Sequence, residues 1–272
     1  MTRFKTILLK KKDKIATITL NRPKVKNAMN PQMHLEMLEV LSDLEEDDGV
    51  RVLVLTGSGD SFCAGQDLKE YFLEIEDNSK ARKRAREAAV QWRSYKLRLF
   101  PKPTIGAVNG WCFGGGFSIV AACDIVIAAD EAIFGLSEVN FGKIPGGMVT
   151  KDVTDLLHPR DALFYILTGR KFDGKQAAAM KFVNYSVPRS RLMKEVYDLA
   201  SELKAKHPEV LRIAKETYKY GKRFNYEEGY AWATAKSAEL DYVAGKTWKK
   251  GVDQFKKGKM RPGLNSYKWD KN

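Results

Sequence analysis

Hydrophobic and polar residues change period several times along this chain, and the changes divide it into elements. Near the N-terminus, residues 4–9 and 15–20 alternate as strands do on either side of a KKKDK stretch, which predicts a hairpin. Asn30-Pro31 sets an N-cap residue before a proline at the first helical position, predicting an amphipathic helix to about Glu46. A β-branched run over 50–56 closes on the turn sequence GSGD. Residues 79–99 mix charged and apolar side chains at helical spacing until Pro101 and Pro103 end the pattern. Residues 104–108 and 124–128 read as short buried strands, with a glycine-rich turn and an apolar helix between them. Repeated strand–strand–helix units with short apolar strands predict an α/β fold with parallel strands and crossover helices.

After Pro188 the strands stop. Residues 190–206, 208–223, 225–245 and 247–257 all read as helices, with Pro208 at a first helical position and Gly229 and Gly245 as interruptions. The expected organisation is an α/β core over residues 1–190 and a helical part over 191–272, packed back on the core or on a neighbouring subunit.

A chain of 272 residues with 44% hydrophobic and 30% charged content can bury a full-sized core of ordinary globular type. The N-terminal segment lacks an apolar stretch of signal-peptide length, and the apolar run at 119–129 is short and broken by Asp124. A cytoplasmic protein without a membrane partner is expected. Cys63, Cys112 and Cys123 include no CxxC pair, so neither a disulfide framework nor a metal site is suggested. The formal charge of +13 changes this picture by asking for an anion: nucleic acid, a membrane surface or coenzyme A. Lys and Arg crowd the C-terminus, at 246, 249, 250, 256, 257, 259, 261, 268 and 271, although a basic tail that only aids solubility fits equally.

The candidate chemistry centres on Gly114-Gly115-Gly116, between a strand-like run and a helix-compatible one, with Glu138 following two further strand-like runs. Bare N–H groups at a helix start favour negative charge, and a carboxylate near them can move a proton. Ala64-Gly65-Gln66-Asp67 forms a second turn of the same design. Two such turns can aim two N–H groups at one oxygen. A thioester carbonyl is the natural guest, because its charge develops only as the enolate forms, and one such donor is worth about 3–4 kcal/mol. Each residue also has a plainer reading. The glycines make a tight turn, Glu138 caps a helix, Ser118 bonds its own helix backbone, and Tyr71 packs. The glycine spacing does not match a dinucleotide fingerprint, and His34, His158 and His207 assemble no nucleophilic triad.

These residues resemble the crotonase (enoyl-CoA hydratase/isomerase) superfamily. The likeness runs nearly end to end, through NRPKVKNAM at 21–29, FCAGQDLKE at 62–70, KPTIGAVNGWCFGGGFS at 102–118, ACDIVIAADEAIFGLSE at 122–138 and QFKKGKMRPGL at 254–264. It implies a spiral of ββα turns that binds acyl-CoA, and a C-terminal helical region that oligomerises as a homotrimer or dimer of trimers. By the same likeness the backbone N–H groups of Gln66 and Gly115 form the oxyanion hole. Lys24, Lys26, Ala64, Asp67, Leu68, Phe255, Lys257 and Lys259 would meet the CoA moiety. No cofactor is implied beyond the coenzyme A of the substrate.

Ordinary members with hydratase activity carry glutamates at the positions of both Ser118 and Glu138, and this chain keeps only the second. WCFGGGFS, FGLSE and DLKEYF look most like the branch that hydrates and cleaves hydroxycinnamoyl-CoA (feruloyl-CoA) thioesters. That resemblance makes Glu138 the group that moves each proton, Ser118 an orienter of water or of Glu138, and Tyr71 a partner for the para-hydroxyl of the ring. The branch places a second tyrosine where this chain has Thr234, with Tyr230 and Trp232 nearby, so a two-tyrosine clamp is lost or rebuilt here. The other expectations are a one-glutamate hydratase or Δ3,Δ2-enoyl-CoA isomerase for another acyl-CoA, and an RNA-binding protein of the same fold. The last lacks the interleaved aromatic and basic residues of a stacking platform.

Overall fold

The computed structural model describes residues 3–269. Strands β1 (Ile7–Lys12) and β2 (Ile15–Leu20) form the expected hairpin, but β1 runs on through the lysines that were to be its turn. Lys10, Lys11 and Lys12 pair with Thr17, Ala16 and Ile15, leaving Asp13 and Lys14 as a two-residue loop with φ of +52° and +64°. Left-handed backbone at both positions gives a turn whose twist matches that of the strands, so the longer ladder wins over the charge of its side chains. Helix α1 (Pro31–Glu46) starts as predicted. The Asn30 side chain accepts a bond from the Met33 N–H at 2.9 Å, and Met33, Met37, Val40, Leu41 and Leu44 bury one face.

From here the chain coils in repeating turns. β3 (Val52–Gly57) and β4 (Ser61–Cys63) lead into a π-helical turn at Leu68–Leu73 and then α2 (Ser79–Val90). β5 (Thr104–Val108) and β6 (Trp111–Phe113) lead into α3 (Gly116–Ala122). β7 (Ile125–Ala129) and β8 (Ile133–Gly135) lead through a 3-10 turn at Ser137–Phe141 into α4 (Val149–Leu156) and α5 (Pro159–Thr168). β9 (Lys171–Asp173), α6 (Gly174–Ala179) and β10 (Tyr185–Val187) complete the spiral. The first strand of each pair joins a six-stranded sheet of order β1-β2-β3-β5-β7-β10, and the second joins a four-stranded sheet of order β4-β6-β8-β9. Apart from β1 and β9, which run antiparallel to their neighbours, the pairings are parallel. β3 and β5 are buried along their whole lengths, as parallel strands covered on both faces must be.

The helix predicted over 79–99 is divided. α2 ends at Val90, and Gln91–Leu97 winds as π-helix with Trp92, Arg93 and Leu97 buried. The extra residue in a π turn rotates the side chains that follow it, here turning an arginine inward. On the inner side of α3, the rings of Phe117, Phe134, Phe172 and Phe182 meet edge-on, tilted or stacked, with centroids 4.8–6.4 Å apart.

In the C-terminal part lie α7 (Arg189–Lys204), α8 (Pro208–Gly221), α9 (Tyr226–Val243) and α10 (Trp248–Lys256). α7 buries Leu192, Val196 and Ala200 and packs against β3, β5, β7 and β10, so the first helix of the 191–272 part lies on the sheet. α8 and α9 pack on each other. Gly245, at φ +60°, separates α9 from α10, whereas Gly229 lies inside α9 and interrupts nothing. Asn225 and Glu228 form a reciprocal cap whose two hydrogen bonds, with that of Gly229 N–H to Asn225, carry the first turn past the glycine. No helix among the described residues is long and apolar enough to cross a membrane.

Phe134 sits in β8 and bears on three other rings, so Phe134→Ala should cost about 3–5 kcal/mol of stability. Urea unfolding should show a lower midpoint with an unchanged slope.

Candidate active site

The three parallel strands β4, β6 and β8 are adjacent, and each is followed within a few residues by one part of the site. The turn 64–67 follows β4, Gly114–Gly116 follow β6, and Glu138 follows β8. The site therefore lies outside the carboxyl ends of parallel strands, where an α/β sheet offers a crevice.

The block at 22–30 forms the shelf for the first turn. Asn27 accepts from Arg22 N–H at 2.9 Å and donates to the carbonyls of Ser58 and Ser61 at 2.9 and 2.8 Å. Met29 bridges to Gln66 as a short parallel pairing: its N–H donates to the Gly65 carbonyl, and its own carbonyl accepts from Asp67 N–H. Arg22 reaches Asp67 at 2.7 Å and also pairs with Glu70. Asp67 further caps the π-helical turn, accepting from Lys69 and Glu70 N–H. Burial would raise the Asp67 pKa, but these bonds and the Arg22 charge overrule it and hold it below the ordinary range.

The two turns abut. A Cβ on Gly65, whose φ is +94°, would lie 3.0 Å from the Phe113 carbonyl and 3.3 Å from Gly115 N. Among the described residues, neither the Gln66 N–H nor the Gly115 N–H donates to a protein acceptor. α3 has only seven residues, so these individual N–H groups carry the polarity more than any macrodipole does. Behind them Arg93, almost fully buried, donates to the Gly115 carbonyl at 3.1 Å and to the Ala89 carbonyl at 3.0 Å. Burial lowers the Arg93 pKa from its usual value.

The Gln66 side chain is held from the other side. His34 is fully buried, and desolvation, aided by the Arg93 charge, pushes its pKa down to about 3, so the ring is neutral. Trp92 Nε1–H donates to His34 Nδ1 at 2.9 Å, which leaves the ring proton on Nε2 to donate to Gln66 Oε1 at 2.8 Å. Turning the amide over would gain Met29 and Arg93 as partners, but it would set an amide N–H against a nitrogen that already carries a proton.

Glu138 closes the arrangement. A Cβ on Gly114, at φ +47°, would lie 2.7 Å from Glu138 Oε1, so the carboxylate stands directly over that glycine. Its Oε2 is buried without a hydrogen-bond partner among the described residues. Burial raises the Glu138 pKa, opposed only by its own backbone N–H. A base with a raised pKa and a free oxygen, beside two unused N–H donors, can carry a proton to and from a carbon next to a thioester.

The matching family model, "Enoyl-CoA hydratase/isomerase", covers residues 10–262. The chain belongs to this family. It is 45% identical to a "Hydroxycinnamoyl-CoA hydratase-lyase" from Pseudomonas fluorescens, over 98% of both chains. It is 34% identical to a "Putative enoyl-CoA hydratase" from Thermus thermophilus, over 84% of this chain and 89% of the relative. Its backbone matches a crystal structure of enoyl-CoA hydratase from Bacillus anthracis with a TM-score of 0.86 at 27% identity, over 98% of this chain and all of the other. As an enzyme of this family, the chain is organised around acyl-CoA chemistry.

Gln66, Gly115, Glu138 and Tyr71 are the expected residues that gather here. Tyr71, on the π-helical turn, meets the His34 ring edge-on at 5.4 Å, and its hydroxyl hydrogen-bonds to none of the described residues. Ser118 is buried in the first turn of α3, and its hydroxyl has no hydrogen-bond partner among the described residues. The three expected ring residues of α9 are not brought in within one chain. Trp232 lies in a separate cavity of about 270 Å³ with Leu99, Phe100 and Tyr220, and Gln66, Gly115 and Glu138 take no part in its lining. Thr234 gives its hydroxyl to the Tyr230 carbonyl, and Tyr230 points to solvent. The reason is that α9 packs on α8, and its aromatic side chain serves that contact.

Of the expected CoA-contacting residues, Lys26 lies beside Ala64, accepting its N–H at 2.9 Å, and its ammonium covers the Trp111 ring. Lys24 shares the 3-10 turn with it, and Leu68 is exposed on the rim. Asp67 is committed to Arg22 and to capping, which corrects its expected role. Phe255, Lys257 and Lys259 lie on α10 and the turn after it; Lys257 pairs with Asp253 at 2.7 Å. Lys271 of the basic tail lies outside the described residues. Sequence reasoning missed His34, Trp92, Arg93 and Asp152. The only signal was an arginine and a histidine at inward positions of helices that otherwise alternate normally.

All three cysteines are buried and free. Desolvation pushes the Cys63 thiol up to about 11 and Cys123 to about 12, and Cys112 rises well above its ordinary value. Among the described residues no His, Cys, Asp and Glu group could hold a metal ion.

Glu138 is easier to protonate when folded than when unfolded, so its charge weakens the fold as pH rises above about 4.3, the unfolded carboxylate value. Glu138→Gln should therefore melt higher than the parent at pH 7, with the difference fading below about pH 4. The same variant should lose about 10²- to 10⁴-fold in turnover of enoyl-CoA. Calorimetry across pH and a steady-state assay check the two halves.

Proposed function

We propose that this enzyme hydrates an aryl-propenoyl-CoA thioester of the 4-coumaroyl or feruloyl type and cleaves the product to an aromatic aldehyde and acetyl-CoA. The observation that carries this reading is the single carboxylate, Glu138, with a free oxygen beside two unused backbone donors. The relative at 45% identity, named as a hydratase-lyase, and the unengaged Tyr71 hydroxyl support the aryl substrate.

In the first step water adds to Cβ while its proton passes to Glu138. The thioester oxygen takes the negative charge between Gln66 and Gly115 N–H, and Glu138 then returns the proton to Cα. In the second step Glu138 removes the β-hydroxyl proton and the Cα–Cβ bond breaks. The electron pair leaves as the acetyl-CoA enolate, stabilised by the same two donors, and Glu138 protonates it at Cα. One oxyanion site serves both steps, because both pass through a thioester enolate. Tyr71 would meet the para-hydroxyl of the ring. Lys24, Lys26, Ala64 and Leu68 would line the CoA approach, joined by Phe255, Lys257 and Lys259. The reaction needs no cofactor beyond the coenzyme A of its substrate.

We further read the working form as a homotrimer or dimer of trimers. Exposed apolar side chains at Phe141, Ile144, Leu163, Phe164 and Leu167 fit a face covered by another subunit. A second reading, hydration or double-bond isomerisation of another enoyl-CoA without cleavage, is favoured by one observation: α9 adds no second phenol to Tyr71 within the chain.

Feruloyl-CoA or 4-coumaroyl-CoA should yield the matching benzaldehyde and acetyl-CoA in equal amounts, measured by chromatography. A hydrated thioester that builds up without aldehyde would replace the lyase reading with the second one. Tyr71→Phe should shift preference toward ring analogues lacking the phenol, by about tenfold for one lost hydrogen bond. Competition assays with paired substrates measure that ratio, and an unchanged ratio would make Tyr71 a packing residue.

A further inference from the structure

Arg93 lies directly behind the oxyanion turns, and no carboxylate pairs with it. The π-helical winding of Gln91–Leu97 carries it inward, where it is 6% exposed. Among the described residues it forms no salt bridge; Asp152 attracts it only from longer range and is itself paired with Arg98. Its donors go to neutral groups instead. Nε gives to the Ala89 carbonyl at 3.0 Å and Nη1 to the Gly115 carbonyl at 3.1 Å. The end of the Gln66 side chain stands 3.2 Å from Nη2. One guanidinium therefore adjoins both residues whose N–H groups are assigned to the thioester oxygen.

The direction of the contact matters. Gly115 has αR backbone, with φ −58° and ψ −15°, so its N–H and its carbonyl point opposite ways. Arg93 holds the carbonyl, which leaves the N–H aimed away from the guanidinium. A Cβ on Gly115 would lie 2.8 Å from Nη1, so the bare Cα is what lets the cation come this close. Arginine keeps its charge even when desolvated. Burying that charge without a counterion costs more than filling the space with an apolar side chain, so stability alone does not account for it. A fixed positive charge in a dry region does, however, act on any negative charge that forms nearby.

We propose that Arg93 is a positioning residue of the oxyanion site: it fixes the Gly115 peptide by its carbonyl, and its charge, set behind both donors, favours the thioester enolate over the neutral thioester. The two N–H groups touch the oxygen, and the guanidinium acts through them and across them. Its effect grows as charge moves onto the oxygen, so it falls on the transition state more than on the bound substrate. The inference rests on the proposed enolate chemistry. It does not depend on the aryl group or on cleavage, because hydration, isomerisation and cleavage all pass through that enolate.

The probe is acetoacetyl-CoA, whose enolate absorbs in the near ultraviolet at wavelengths where its keto form does not. Bound to the parent, it should ionise at lower pH than free in solution. Arg93→Gln keeps a neutral donor but removes the charge, and should move the bound midpoint up by about one pH unit, a tenfold loss of enolate over keto form. With whichever enoyl-CoA the parent turns over, the same variant should lose about tenfold in kcat, while KM stays within about twofold. Arg93→Lys keeps the charge with a poorer fork and should fall between the two in both measurements. A packing role predicts instead a lower melting temperature with the midpoint and kcat intact, and that result in folded Arg93→Gln would overturn the proposal. So would an Arg93→Lys that titrates no better than Arg93→Gln. Should Arg93→Gln fail to fold, Arg93→Met takes its place, and a parental midpoint in it is equally fatal. A parent that binds acetoacetyl-CoA without lowering its midpoint counts against the oxyanion site itself. A lowered midpoint that every variant shares counts against Arg93 alone.

Discussion

The parallel pairing of β4, β6 and β8 is the constraint on which the site depends. Their registers, Cys63 with Cys112 and Phe113 with Gly135, bring three chain reversals to one edge. Two of those reversals must touch before their N–H groups can share an oxygen, and any Cβ on Gly65 would press on the Phe113 carbonyl. The aromatic cluster under α3 and β8 then holds the second and third reversals to each other. Donor spacing is thus a property of the sheet and its packing, and the turns inherit it.

Around that frame the molecule buries several charged side chains, among them Glu36, Asp67, Arg93 and Asp152. Buried Asp152 pairs with the partly exposed Arg98, Arg93 is almost fully buried, and Glu138 Oε2 is buried without a partner among the described residues. Desolvating an ion costs several kcal/mol unless bonds and countercharges answer it. Arg93 is answered by the carbonyls of Ala89 and Gly115, and Asp67 by Arg22 and two N–H groups. Glu138 is not answered, and an unanswered charge in a cleft marks a group that works on a ligand. His34 takes the opposite course. It stays neutral, and one donor from Trp92 is enough to set its tautomer and so to orient Gln66.

Much of this was legible in the chain. Strand runs 15–20 and 104–108, the cap at Asn30 and the glycine triplet each carry a local physical signal, and each lies where that signal put it. The lysines of β1 misled because charge predicts turns only on average, while the two-residue reversal at Asp13-Lys14 depends on backbone twist. The π-helical winding at 91–97 left no mark, since its side-chain pattern differs from an α-helix by one residue in a turn. Arg93 and Asp152 left only a faint mark: a charged residue at an inward position reads as an error in periodicity until its partner is known. The α9 aromatics do not reach the site within one chain, because distance along a helix says nothing of which neighbour that helix packs on.

The buried thiols have a use that their chemistry does not suggest. Cys63 ends β4 and Cys112 lies in the middle of β6, the two strands that lead into the oxyanion turns, and Cys123 follows α3. With their pKa values pushed up and little or no solvent access, they offer almost no thiolate to a reagent while the chain is closed. Alkylation of Cys63 and Cys112 can proceed only through states in which these two strands have parted. The sulfurs of Cys63 and Cys112 are therefore a built-in clock for the opening of the active-site edge, one that runs without any label being added.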